Sequence, residues 1–389
     1  MSGRLLVGLV LALAAVSVLV GACGGDSEPA PTTAAGIERC AELEEDAEAA
    51  RACYREELAA LVSAAETPQD GAARADALAR EQGGFLLANC HGIMHTVGRE
   101  YARAEGVTLA SLMDALPQSN DPGCSAGFAH GLVTGVAPEI DASSPETALE
   151  VCEDTETRYQ RYSCVHGFGH AFMRISGEEL DPALGLCSAL GAEAPDCAQG
   201  AFHDYWFAVA GLDETEQPAE VVDDPRRLCA DQPERFVLPC WYRAYVDSRP
   251  PGEITVTADL QRLCAELEGI QREGCITAGS VIGPADPRSQ LAMCAGLRGA
   301  DAQACIHGVK AQNFLGQSIE ADVALVERCE LFAEPAGRQE CFRWLGKTLS
   351  VVTDGEFGEA GCPALTQADA RRLCEQGAAA MDEPLVTFS

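Results

Sequence analysis

The cysteines constrain this chain more than any other feature. There are 19, and most fall into pairs with a steady gap: Cys40 and Cys53, Cys152 and Cys164, Cys187 and Cys197, Cys229 and Cys240, Cys264 and Cys275, Cys294 and Cys305, Cys329 and Cys341, and Cys362 and Cys374. Between nine and twelve residues separate the two members of each pair. First members from Cys152 onward recur at intervals of 35, 42, 35, 30, 35 and 33 residues. A period of that size marks an array of two-helix units, each of which buries its apolar face only against its neighbours. Cys90 and Cys124 remain as a ninth pair, and Cys23 is left over.

Local patterns agree with helices. Ala, Leu, Glu and Arg dominate, and apolar residues recur at three- and four-residue spacing in "REELAALVSAA" (55–65) and "DVALVERCELF" (322–332). Strand-like alternation is scarce; "GEITVTADL" (252–260) is the main exception. Each Cys pair brackets a short polar stretch such as "CADQPERFVLPC" (229–240), read as one helix ending, a turn and the next helix beginning. The expected fold is all-α: a disulfide-stapled αα-hairpin repeat array, solenoid-like or closed into a compact helical bundle. Its logic resembles the Sel1-like, cysteine-rich helical repeats of secreted bacterial proteins, in which a Cys pair ties neighbouring helices. That resemblance runs from about residue 40 to the end and implies a fold, not a function.

The N-terminus gives an address. Arg4 is a minimal positive region, Leu5 to Ala22 are apolar or small, and the stretch ends in Val20-Gly21-Ala22-Cys23. This resembles a bacterial lipoprotein lipobox, in which the Cys is lipidated and becomes the new N-terminus. The resemblance implies a signal peptide over 1–22, a lipid on Cys23, and a flexible tether over 23–36 that includes "GGDSEPAPTTAAG". The rival is an uncleaved anchor helix. Either places the bulk of the chain on the extracytoplasmic side of a cell membrane, where cysteines oxidise. With Cys23 lipidated, 18 cysteines remain for nine disulfides. The formal charge is −33, and removing Arg4 with the signal peptide makes it 26 − 60 = −34. A surface so acidic repels nucleic acid and anionic lipid head groups, so the expected membrane contact is the N-terminal lipid.

The histidines carry the chemistry. There are seven, and six fall at two equivalent positions of four short stretches. These are "NCHGIMHTVG" (His91, His95), "CSAGFAHG" (His130), "CVHGFGHAF" (His166, His170) and "CAQGAFHDYW" (His203). Each stretch has Gly three residues before its second-position His: Gly92, Gly127, Gly167 and Gly200. Ala126 and Gln199 stand where the other two stretches have His91 and His166. On a helix an i, i+4 pair lies about 40° apart, close enough to chelate one ion.

In chain order the six form two matching sets, His91/His95/His130 and His166/His170/His203. A His one repeat on can complete a three-nitrogen site, because packed helices lie about 8–10 Å apart. Two such sets side by side would make a three-plus-three dinuclear centre, a ligand count that resembles type-3 dicopper proteins. Neutral imidazoles suit zinc, copper or iron. Glu100 and Asp204 are candidate ring-orienting carboxylates, although their helical angles do not force them towards the site, and Tyr205 and Trp206 read as core residues, with a pocket wall as the alternative.

Later repeats keep the cysteines without the histidines, in "CWYRAYV", "CITAGSV", "CFRWLGK" and "CEQGAAA". In "CIHGVKA" His307 keeps the first position, Ala311 fills the second, and a structural role is expected. The chain therefore divides into a His-bearing region, 37–215, and a region without the cluster, 216–389, with "DETEQPAEVVDDPRR" (213–227) as the seam. No nucleotide-binding Gly loop, G-x-S-x-G elbow or C-x-x-C-H haem motif is present. Two functions stay open. One is transition-metal binding, with redox, oxygen or hydrolytic chemistry undecided. The other is a non-enzymatic cell-envelope scaffold that binds a protein or peptide.

Overall fold

The structure is a computed structural model that describes residues 34–117, 123–210, 222–249, 252–284, 286–309 and 318–383. The lipobox with Cys23, the signal segment, most of the tether and much of the 213–227 seam lie outside the described residues. Among the described residues there is no strand. No helix there is long and apolar enough to cross a membrane.

Among the described residues, eleven helices form the body of the array. They are α1 (Ala47–Ser63), α2 (Pro68–Gln82), α3 (Gly84–Glu105), α4 (Cys124–Gly135), α5 (Arg158–Ile175), α6 (Ala194–Ala210), α7 (Glu234–Ser248), α8 (Gly269–Val281), α9 (Gly299–His307), α10 (Pro335–Val352) and α11 (Ala368–Ala378). Short helices, such as Thr147–Cys152 before α5 and Leu180–Ser188 before α6, precede most of the later ones.

Starts and stops follow local chemistry. The Asp46 side chain accepts from the Glu48 and Ala49 amides at the start of α1. Thr157 and Gln160 form a capping box on α5. Asp286 and Pro287 open the helix Pro287–Cys294. Gly106, with φ of 66°, ends α3 in the left-handed conformation that glycine adopts without strain. "GEITVTADL" supplies the end of a loop and then the helix Thr257–Leu263, so its alternation does not make a strand.

The nine disulfides have the expected partners. Eight tie a short helical segment to the long helix that follows. Cys53 of α1 bonds to Cys40, Cys164 of α5 to Cys152, and Cys197 of α6 to Cys187. Cys240 of α7 bonds to Cys229, Cys275 of α8 to Cys264, and Cys305 of α9 to Cys294. Cys341 of α10 bonds to Cys329, and Cys374 of α11 to Cys362. Their Cα–Cα separations are 5.4–5.9 Å, the ordinary reach of a disulfide. These cysteines are staples only: none joins the groups of side chains that could hold a metal. Cys90–Cys124 differs, joining α3 to α4 across 34 residues.

A second staple was not anticipated. Arg161 and Arg272 each lie three residues before a second Cys, Cys164 or Cys275. Each reaches back to the carbonyl of the paired first Cys and forward to an acid of the next repeat, Glu193 or Asp301. "RYSC" and "REGC" were its legible signal.

Long helices pack consecutively from α3 to α11. The array also curls back, since α10 touches α5 and Arg158 reaches the Glu383 carbonyl. α6 and α7, on either side of the undescribed stretch 211–221, pack on each other.

Candidate metal centre

Four consecutive helices supply six imidazoles to one place. His91 and His95 come from α3, His130 from α4, His166 and His170 from α5, and His203 from α6. All but the half-buried His91 are buried. Glycine brings the helices close enough. A Cβ on Gly127 would strike the His91 carbonyl oxygen, and one on Gly200 the His166 carbonyl oxygen. Backbones that meet this closely bring the histidines of adjacent helices together.

The rings form one cluster. Touching centroids lie 4.6–5.6 Å apart. Exchanging His91 with His166, His95 with His170, and His130 with His203 maps these contacts onto themselves, so the cage has an internal two-fold relation. Donor nitrogens converge in threes, within 4.8 Å of one another: His91/His95/His130, His95/His170/His203 and His130/His166/His170. The first set is the one the sequence grouped. The second is divided: His170 and His203 converge with His95, and His166 and His170 with His130. The sets interleave because α3 and α6 face each other across the curl, as the His91–His203 and His95–His203 contacts show.

The hydrogen bonds orient the rings inward. His91 Nδ1 lies 3.1 Å from the Gly123 carbonyl, which only accepts, so Nδ1 carries the proton and Nε2 turns a lone pair inward. His170 Nδ1 donates to Asp204 Oδ1 at 3.1 Å in the same way. His130 Nε2 meets Ser163 Oγ at 3.1 Å, and His203 Nε2 lies 3.8 Å from Asp247 Oδ1. The inward atoms face one another. His95 Nε2 is 3.1 Å from His91 Nε2 and 3.2 Å from His130 Nδ1, and His166 Nε2 is 3.3 Å from His203 Nδ1. These are hydrogen-bond distances, and they are also compatible with ligands on one ion, since nitrogens that share a metal at about 2.1 Å lie about 3.0–3.4 Å apart. The buried Nδ1 of His166 has no hydrogen-bond partner among the described residues.

Electrostatics favours the neutral form of four of the rings. Burial, followed by the neighbouring imidazoles, holds the pKa values of His95, His130 and His166 well below the ordinary histidine value. For His203 burial leads and the Arg243 guanidinium comes next. Neutral imidazole is the form that binds a metal.

Asp204 thus holds His170, whereas Glu100 is exposed and takes no part. Tyr205 and Trp206 are buried, and the Tyr205 hydroxyl bonds the Val222 backbone. Phe207 packs its ring 4.2 Å from that of His203. Ser163, Arg243 and Asp247 were not anticipated. Arg243 and Asp247 pair at 2.6 Å, and they come from α7, beyond the boundary drawn by the sequence. His307 stands apart in α9, bonded to Glu340 at 3.0 Å and packed against Trp344 with the rings tilted. A cleft lined by Ala126, Ala129, Gln160 and Ser163 reaches the outer side of His130 through the Ser163 hydroxyl.

No protein-family model, curated protein or solved structure matches this chain. The buried histidine groups can hold a metal ion on their own geometry.

Proposed function

We propose that this protein binds a transition-metal ion through the six-histidine cage. We further propose that it does so outside the cytoplasm, held to a membrane by a lipid on Cys23. The supporting observation is the division of roles on the rings. Nitrogens of different rings face one another at 3.1–3.3 Å, while outward nitrogens rest on Gly123, Ser163 and Asp204 oxygens. Packing histidines bonded separately to backbone would not bring lone pairs together in a buried space. An all-nitrogen donor set favours zinc, copper, nickel or iron over magnesium or calcium, which take oxygen. The cysteines supply no competing thiolate, because the disulfides occupy all eighteen that are described.

Asp204 matches a carboxylate that fixes a ligating ring and raises its basicity. If the export reading holds, the disulfides form in an oxidising compartment and the array is stapled before the ion binds.

The test is metal content. The chain, produced in an oxidising compartment without a histidine tag, should carry a transition metal by elemental analysis. The His95→Ala/His170→Ala variant should lose it while its helical circular dichroism persists. A chain that carries no metal and takes up no zinc, copper, nickel or iron would favour the scaffold reading instead. Radiolabelled palmitate that enters the wild type and not Cys23→Ala would test the anchor.

A further inference from the structure

The distances between the two histidine sets decide how many ions the cage takes. In a three-plus-three centre the triads face each other across two metals about 3.5–4 Å apart, which places rings of opposite triads about 7 Å apart or more. Here the sets interpenetrate. His95 and His170 lie 4.6 Å apart, as do His130 and His166, closer than any pair within a set. The other contacts between the sets span 5.3–5.5 Å.

One ion explains the arrangement. The eleven ring contacts occupy eleven of the twelve edges of an octahedron whose opposite corners are His91 and His170, His95 and His166, and His130 and His203; the twelfth edge, His91–His166, is not a ring contact. Six imidazoles bound at about 2.1 Å to one octahedral ion would have neighbouring centroids about 4.6 Å apart. The observed range begins there and extends to 5.6 Å. The three donor groups are faces of the same octahedron, and each shares one corner with each of the others.

We infer that the cage is a closed, six-imidazole site for a single divalent ion that accepts octahedral nitrogen coordination, iron(II) or nickel(II). It serves to capture and hold that ion, not to activate a bound substrate. This rests on the metal-binding reading above. Catalytic metal sites keep a coordination position open, and a shell of six protein nitrogens has none. The walls agree. Ser163 lines the cleft beside Ala126 and bonds the outward nitrogen of His130, so Ser163 and that ring separate the cleft from the cage. On the related side, Gln199 accepts from the Tyr162 hydroxyl at 2.6 Å. Zinc favours four ligands and copper(II) a tetragonal field, so both fit this shell less well.

The experiment uses the full chain, loaded anaerobically with iron(II) or with nickel(II). Elemental analysis should give one ion per chain. X-ray absorption should show about six imidazole nitrogens near 2.1–2.2 Å, and added azide should leave the spectrum unchanged. His166→Ala and His203→Ala should each lower the coordination number by one; two variants guard against one that fails to fold. Two ions per chain, a four-coordinate spectrum or an azide-bound form would overturn the closed single-ion site and leave metal binding intact. A chain that takes up no ion would overturn the metal reading, and this inference with it.

Discussion

Two helix pairs in this molecule pack alike and carry different residues. In α5–α6, a Cβ on Gly169 would strike the Cys197 carbonyl oxygen, and one on Gly200 that of His166. In α10–α11, Gly346 meets the Cys374 carbonyl and Gly377 the Arg343 carbonyl in the same way. Counted from the second cysteines, Arg343, Lys347 and Ala380 replace His166, His170 and His203. Lys347 pairs with Glu383 at 3.4 Å, and Arg343 lies 3.7 Å from Glu340. The scaffold therefore requires the glycines and the disulfides but not the histidines. What α10–α11 does without, α3 to α6 concentrate at one point, which is why we assign those imidazoles to an ion.

The largest expected difference between the two regions is in acid. His95, His130, His166 and His203 have folded pKa values far below those of the unfolded chain. Below about pH 6.5 the unfolded chain binds more protons, so stability is fully present above that value and is lost as pH falls through it. A group that stays neutral in the fold and charges on unfolding contributes about 1.4 kcal/mol per pH unit, so the loss steepens as more than one ring is involved. Urea midpoints of the chelator-treated chain should fall sharply between about pH 7 and pH 5.5. A flat profile would mean that the rings are already charged or are not buried together.

A smaller effect compares the glycines. Gly200→Ala and Gly377→Ala drive a methyl into equivalent backbone positions, and each should cost about 3 kcal/mol, near the upper end for an overpacked site. Thermal melts should shift alike, but metal content should fall only in Gly200→Ala. Equal metal loss in both would break the distinction between the regions. Smaller still is Asp204→Asn, which leaves an acceptor for His170 and removes the charge. Metal affinity in a chelator competition should weaken about 10- to 100-fold with little change in the apoprotein melt. Unchanged affinity would remove Asp204 from the site.

Much of this was legible in the sequence because it is local. A second cysteine ten to thirteen positions after the first can reach back across one turn. The staples that end at Cys53, Cys240, Cys275, Cys305 and Cys341, and the helical repeat with them, therefore followed from spacing. Cys90–Cys124 broke that rule and followed only from elimination. The six site histidines were legible because the later repeats keep the scaffold without them. The division of the second set, His166, His170 and His203, was not. It depends on the curl that sets α3 against α6, and sequence spacing carries no record of that angle. Arg243 and Asp247 were missed for the same reason: α7 lies in the next repeat and bears no histidine, yet it walls the cage. "GEITVTADL" misled because Ile, Thr and Val alternate through a loop into a helix N-terminus, where packing outweighs β propensity.

The most direct test follows amide hydrogen exchange with and without the ion. Helices α3 to α6 should gain protection when the metal is added, and α8 to α11 should exchange as before. Protection gained evenly across the array, or nowhere, would contradict the assignment of the ion to the six-histidine cage.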